Sequence, residues 1–169
     1  MAQQLATAIQ KSESDFDELF VSSDRFDEHL RKVCDLIARR AFEIFESRGH
    51  VHGYDWEDWY RAESAVLQTV SNEVSDSGDA FLAVVAIAAY RPQNLKLSAE
   101  PQRLRIVGCP TPATDESGTP ENITPRPRAF SVAYQFPAPV DPAKASAEIR
   151  GDLLEVRLPK ATSSRNASD

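Results

Sequence analysis

Residues 130–160, FSVAYQFPAPVDPAKASAEIRGDLLEVRLPK, decide the fold of this chain. The stretch contains short runs in which apolar residues occupy every second position, the period of strands that bury one face. These runs are Phe130/Val132/Tyr134/Phe136, Ala147/Ile149 and Leu154/Val156/Leu158. The turn-rich connector PAPVDP separates the first two runs, and Gly151-Asp152 marks a tight hairpin between the last two. The stretch therefore predicts antiparallel strands, and it carries no chemically reactive group.

Composition narrows the class of protein. The chain has 169 residues, 41% apolar and 27% charged, which suits one ordinary domain or two small ones. Its net charge of −7 and the lack of a basic stripe argue against nucleic acid and anionic membrane surfaces as partners. No window approaches the ~18 uninterrupted apolar residues of a membrane helix, and the N-terminus lacks a signal-peptide pattern. We therefore expect a cytoplasmic protein.

The first part of the chain predicts a flexible arm followed by two helices. Residues 1–23 are polar and acidic but include the apolar residues Phe16, Leu19, Phe20 and Val21. They predict a loose arm, or alternatively one that touches a partner through its phenylalanines. Apolar residues then recur at spacings of three and four, which predicts an amphipathic helix with Asp24 as N-cap and Gly49 as its stop. A second helix is expected from Asp55 as N-cap, giving a two-helix domain over residues 24–69.

Two features of the helical region invite a site assignment. His50 and His52 lie near several acids, yet a closed metal site needs a converging ligand set that this spacing does not show. Cys34 and Cys109 are isolated and form neither a disulfide framework nor a four-ligand zinc site. We therefore expect no metal and no cofactor. Trp56 and Trp59 share one helical face, and core packing is the expected role for both.

From residue 70 the helical period gives way to strands. Residues 71–79 predict an edge strand and turn, and the apolar run 81–90 predicts a strand buried on both faces. The Pro/Ser/Thr-rich segment 109–128 predicts a flexible loop, and residues 162–169 predict a disordered tail. Short strands without intervening helices predict a mainly β protein, an antiparallel β-sandwich over residues 70–161.

Two family resemblances add to this interpretation. Residues 37–67 resemble a small bacterial helical domain of unknown function, which brings a fold but no activity. The matching positions are Arg40, Ala41, Phe45, Gly49, Gly53, Asp55, Trp59, Ala62 and Glu63. Residues 70–161 resemble the α-crystallin domain of small heat-shock proteins, an immunoglobulin-like antiparallel sandwich. The resemblance rests on the blocks IAAYRPQNLKLSAE (87–100), RLRIVG (103–108) and FPAPVDPAKASAEIRGDLLEVRLPKA (136–161).

The second resemblance implies an ATP-independent chaperone, not an enzyme, that holds unfolding client proteins soluble. It places the client groove between two strands, with Leu95 and Leu97 facing Ala147 and Ile149. It also implies self-association as a dimer or small oligomer. The candidate dimer interface comprises Ile123, Phe130, Val132 and Tyr134.

The chain departs from the family pattern at several points. Val132 stands where the family has an arginine, and Pro125 and Pro127 remove ladder donors beside the loop strand that partners exchange. The tail lacks the I/V-x-I/V motif that joins family dimers into larger shells. These departures leave a second hypothesis open, a non-chaperone interaction module whose helical domain recognises a specific partner.

Overall fold

The computed structural model describes residues 19–88, 90–109 and 128–162, which form two helices and seven strands. The helices are α1 (Ser23–Ser47) and α2 (Asp55–Val66). The strands are β1 (Asn72–Asp76), β2 (Ala80–Ala86), β3 (Leu95–Glu100), β4 (Arg103–Gly108), β5 (Phe130–Gln135), β6 (Ser146–Arg150) and β7 (Leu153–Pro159). Residues 1–18, most of the predicted loop, and the tail from residue 163 lie outside the described residues, and so does the predicted interface residue Ile123.

The strands form two antiparallel sheets, in the orders β1-β2-β7-β6 and β3-β4-β5. Alternate residues of both sheets point inward into one apolar cluster, where the rings of Phe81 and Phe136 stack 4.7 Å apart. The predicted mainly β sandwich with an N-terminal pair of helices is confirmed. The prediction that residues 81–90 form one strand buried on both faces is wrong, since β2 ends at Ala86 and from Phe81 onward only every second residue of β2 is buried.

The ends of the helices differ from the prediction by one or two residues. Ser22, and not Asp24, is the N-cap of α1, and its hydroxyl accepts a hydrogen bond from the Arg25 amide at 3.5 Å. The stop at Gly49 is confirmed, because α1 ends at Ser47 and Gly49 takes a φ of 80°. Asp55 is the first residue of α2 rather than its N-cap. At the start of both helices, a residue one or two positions earlier takes the N-cap position that the sequence pattern assigned to an aspartate.

The helical pair packs on the outer face of the β3-β4-β5 sheet. Along β4, Leu104 and Ile106 point into the sandwich, whereas Val107 belongs to a second apolar cluster. That cluster joins Val107 and Ala129 of the sheet region to the buried helical residues Phe26, Val33, Ile37 and Ala62. The described structure therefore has three layers, with a helical layer covering one sheet.

The predicted core position of the two tryptophans is wrong. Trp56 is 87% exposed and Trp59 is 38% exposed. The buried polar residue of α2 is Asp58, only 3% exposed, and the guanidinium of Arg48 lies 2.5 Å from its carboxylate oxygen. This ion pair joins the C-cap residue of α1 to α2.

Candidate functional site

The outer edge of β3 is occupied by a segment of the same chain. Residues 19–21, which we call the plug, run parallel to β3 beside Leu97. The Leu97 amide donates to the carbonyl of Leu19 at 2.8 Å, and the Val21 amide donates to the carbonyl of Leu97 at 2.8 Å. Leu19 is 1% exposed. The end of the predicted arm therefore lies against the sheet as an added strand segment, which sequence reasoning did not predict.

The predicted groove residues lie in one apolar cluster together with the plug. Leu95 and Leu97 of β3 are fully buried, and Ala147 and Ile149 of β6 are half-buried against the same cluster. Leu19 is also a member of this cluster, and Phe20 packs against it. Because the plug covers the edge of β3, the groove is filled on that side. Client binding at these four residues stays a prediction.

A polar network, which we call the clasp, fastens the chain just after the plug. The Ser23 hydroxyl donates to a carboxylate oxygen of Glu100 at 2.8 Å and accepts from the Arg105 guanidinium at 3.0 Å. Arg105 also contacts Asp27 at 2.8 Å and Glu100 at 3.1 Å. The clasp comprises Ser23, Asp27, Glu100 and Arg105. It therefore joins the first turn of α1 to the β3-β4 hairpin.

The environment of the clasp favours its charged form. The hydrogen bond from Ser23 and then the Arg103 guanidinium hold the pKa of Glu100 below its usual value. The Arg105 guanidinium lies over the Phe26 ring, 4.5 Å from its centroid, and only 14% of its side chain is exposed. Such partly desolvated charge pairs interact more strongly than fully hydrated ones. No sequence pattern indicates this role, because Arg105 alternates with Leu104 and Ile106 like any solvent-facing strand residue.

The candidate dimer interface lies on β5, at the far edge of the same sheet. Phe130 is 1% exposed, and Val132 and Tyr134 are half-buried with their side chains packed against the sandwich core. Among the described residues, no strand pairs with the outer edge of β5. A cleft of about 520 Å³ lies there, between the end of α2 and residues 131–133 of β5. Dimerisation through this edge stays a prediction.

The exposed face of the helical pair carries large aromatic side chains. Trp56 is 87%, Tyr60 is 70% and Phe42 is 57% exposed. His50 and His52 lie against the ring of Phe45, at centroid distances of 5.2 and 5.4 Å. In the described part of the chain, no three His, Cys, Asp or Glu side chains are arranged to hold a metal ion. None of the described helices is long and apolar enough to cross a membrane.

Comparison with known proteins finds one matching family and a set of similar solved structures. Residues 35–68 match the family described as "Protein of unknown function (DUF2934)". A search of curated proteins returns no match. Among solved structures, the chain is similar to heat shock protein 16.0 from Schizosaccharomyces pombe, with 23% identity, a TM-score of 0.48, and coverage of 60% of this chain and 73% of that one.

Two further structures come from bacteria. The small heat-shock protein from Xylella fastidiosa is 16% identical with a TM-score of 0.47, covering 60% of this chain and 96% of that one. The truncated small heat shock protein AgsA from Salmonella typhimurium is 20% identical with a TM-score of 0.45, covering 56% and 89%. These relatives are small heat-shock proteins. At such identities the likeness is one of fold and says nothing about activity.

Proposed function

We propose that this protein is an ATP-independent chaperone that binds extended apolar segments of partly unfolded proteins and keeps them soluble. The observation that carries the proposal is the plug on β3. There, an extended apolar segment of the chain itself forms two backbone hydrogen bonds to this edge, while Leu19 is buried in the adjoining cluster. Unfolded chains of any sequence offer the same backbone groups and many apolar side chains.

The proposed binding mode is strand addition. Backbone hydrogen bonds to a sheet edge give affinity that depends little on sequence, and apolar pockets select alternate side chains. Leu95 and Leu97 from one sheet and Ala147 and Ile149 from the other supply the apolar walls. An edge strand that is an aggregation hazard in other proteins becomes a binding device here. This chemistry requires neither a nucleophile nor a cofactor.

The test is suppression of client aggregation without ATP. Light scattering of a heat-denatured model client should fall when the chain is added at an equimolar ratio. Ile149→Glu places a charge in the groove and should abolish the protection. Leu153→Glu is the matched control, because Leu153 lies across the β6-β7 hairpin and is 42% exposed. Unchanged client scattering with the unmodified chain would contradict the proposal.

The exposed aromatic face favours a second candidate function, a protein-interaction module. Trp56 and Tyr60 lie one helical turn apart on α2, and exposed aromatic residues of this size are enriched at protein interfaces. If the chain is such a module, light scattering after size exclusion will give the mass of a monomer. The same chain will then fail to suppress aggregation of the heat-denatured client. A partner isolated with it should then be lost from the Trp56→Ala/Tyr60→Ala variant, while the melting temperature of the variant stays unchanged.

A further inference from the structure

We propose that the plug is an exchangeable occupant of the β3 edge and that the clasp controls its release. When the clasp opens, residues 19–21 leave the edge and an extended apolar segment of an unfolded client takes their place. This inference rests on the proposed function for the identity of the incoming segment. The removal of the plug and its control by the clasp do not depend on that identity.

The plug is held as a bound peptide would be, rather than as a strand of the sheet. A regular strand such as β4 exchanges hydrogen bonds along six paired positions, whereas the plug forms a single bridge at Phe20 and Leu97. Two backbone hydrogen bonds and the burial of Leu19 hold it in place. Segments with few backbone bonds open locally, at a free energy well below that of global unfolding. The sandwich can therefore lose the plug and stay folded.

The clasp lies where it can control this opening. Ser23 is two residues beyond Val21, so the plug cannot move far from β3 while the hydroxyl of Ser23 is fixed. That hydroxyl bonds Glu100 at the end of β3 and Arg105 on β4, the two strands of the hairpin whose edge the plug covers. Asp27 adds a further bond to Arg105 one turn along α1. Four polar side chains thus tie the mobility of the plug to that of the first turn of α1.

Release of the clasp leaves the remainder of the helical layer attached. Downstream of the clasp, Val33 and Ile37 of α1 are buried against the sheet through apolar contacts that contain no charge. The clasp itself consists of one arginine facing two carboxylates, of which Asp27 is about half exposed. Added salt screens such a network and leaves apolar packing in place. The expected event is thus a local opening of residues 19–23, because Phe26, fully buried in the second cluster, holds the next turn of α1 on the sheet.

Hydrogen exchange at single amides provides the first test. The amides of Val21 and Leu97 both donate across the plug bridge, so their exchange rates report how often the plug leaves. We expect Ser23→Ala/Glu100→Gln to raise both rates about tenfold, with amides of β2 and β7 unchanged. Glu43→Gln is the matched control, because it removes the exposed Arg40–Glu43 ion pair of α1, outside the clasp. Unchanged exchange at Val21, or an equal rise throughout the sandwich, would overturn the proposal.

Peptide binding provides the second test and separates this inference from the proposed function. The probe is a fluorescent peptide with the sequence of residues 16–22, FDELFVS, and the control peptide carries alanine in place of its leucine and valine. The clasp variant should bind the probe about tenfold more tightly than the unmodified chain, since the competing plug is absent for more of the time. Equal affinity in both would refute the clasp mechanism. Tighter peptide binding without client protection would leave the mechanism standing and refute the chaperone function.

Discussion

At the residue scale, Gly108 is a position where the sandwich leaves no room for a side chain. It pairs with Phe130 across β4 and β5, and a Cβ atom added at Gly108 would lie 2.2 Å from the ring. The ring in turn packs edge-on against Tyr90 at 4.8 Å, so it has little freedom to move. The closing glycine of the RLRIVG block is therefore required by a close approach between a strand and an aromatic ring.

Gly108→Ala should destabilise the protein by about 1–3 kcal/mol, the usual cost of overpacking a core. Urea denaturation measures the change. In a Phe130→Leu background the smaller side chain leaves room, and the same substitution should then cost clearly less than in the parent. Equal costs in the two backgrounds would show that the Phe130 ring is not the cause.

Tyr134 is half-buried, but its hydroxyl is fully buried and finds no hydrogen-bond partner within the part of the chain that the structure describes. Burial raises its pKa to about 12. The pKa of this hydroxyl is higher in the folded state than the value of about 10 in an unfolded chain. The free energy of unfolding is therefore unaffected by this group below pH 10 and decreases as the pH rises towards 12. Tyr134→Phe should remove this alkaline loss and, by deleting an unsatisfied hydroxyl, should not destabilise the protein at neutral pH.

The measurement is the urea midpoint at pH 8 and at pH 11 for both chains. Tyr60→Phe is the control, because Tyr60 is 70% exposed and its removal should leave the pH dependence unchanged. Should Tyr134→Phe lose as much stability between the two pH values as the parent, the hydroxyl of Tyr134 is not the group that titrates.

At the scale of elements, α1 has one face against the sheet and another in solvent. Ile37 is 5% exposed in the cluster with Val107, whereas its neighbour Leu36 is 36% exposed. Ile37→Ala should therefore cost about 2–5 kcal/mol and Leu36→Ala less than about 1 kcal/mol. Chemical denaturation followed by helical circular dichroism gives both values. Similar costs at the two positions would contradict the packing of α1 on the sheet.

The sequence predicted elements well and their contacts poorly. Period-two alternation in residues 130–160 located β5, β6 and β7, because that pattern depends only on which face is buried. Helical spacing wrongly placed Trp56 and Trp59 in the core, since the spacing shows which residues share a face but not which face lies against the sheet. The plug and the clasp depend on contacts between residues far apart in the chain, such as Ser23 and Glu100 in the clasp, 77 positions apart. No local sequence pattern encodes such contacts.

On the scale of the whole molecule, the helical layer covers one face of the sandwich and shields Cys109. This thiol belongs to the edge of the second cluster, and burial raises its pKa, whereas Cys34 is exposed on α1. The thiolate is the reactive form, so both effects slow labelling of Cys109. An aromatic disulfide reagent at pH 8 should modify Cys34 much faster than Cys109. The Cys34→Ser and Cys109→Ser variants each keep one thiol, so their labelling rates give the two values separately.

Undocking of the helical layer should accelerate labelling of Cys109. Ile37→Ala weakens the docking and should raise the rate, whereas Leu36→Ala should leave it unchanged. If Cys109 in the parent reacts as fast as Cys34, the helical layer does not protect the sheet in solution.

The join between the plug and α1 has a consequence for dose response. An occupant joined to α1 through the single residue Ser22 competes with free segments as if it were present at an effective concentration on the order of millimolar. Isolated client segments at micromolar concentration would seldom displace it. A high concentration of unfolding chains would displace the plug more often, and so would a single chain with many apolar segments. If the proposed function and the exchange of the plug both hold, the protein is expected to respond to a high load of unfolded protein rather than to its mere presence.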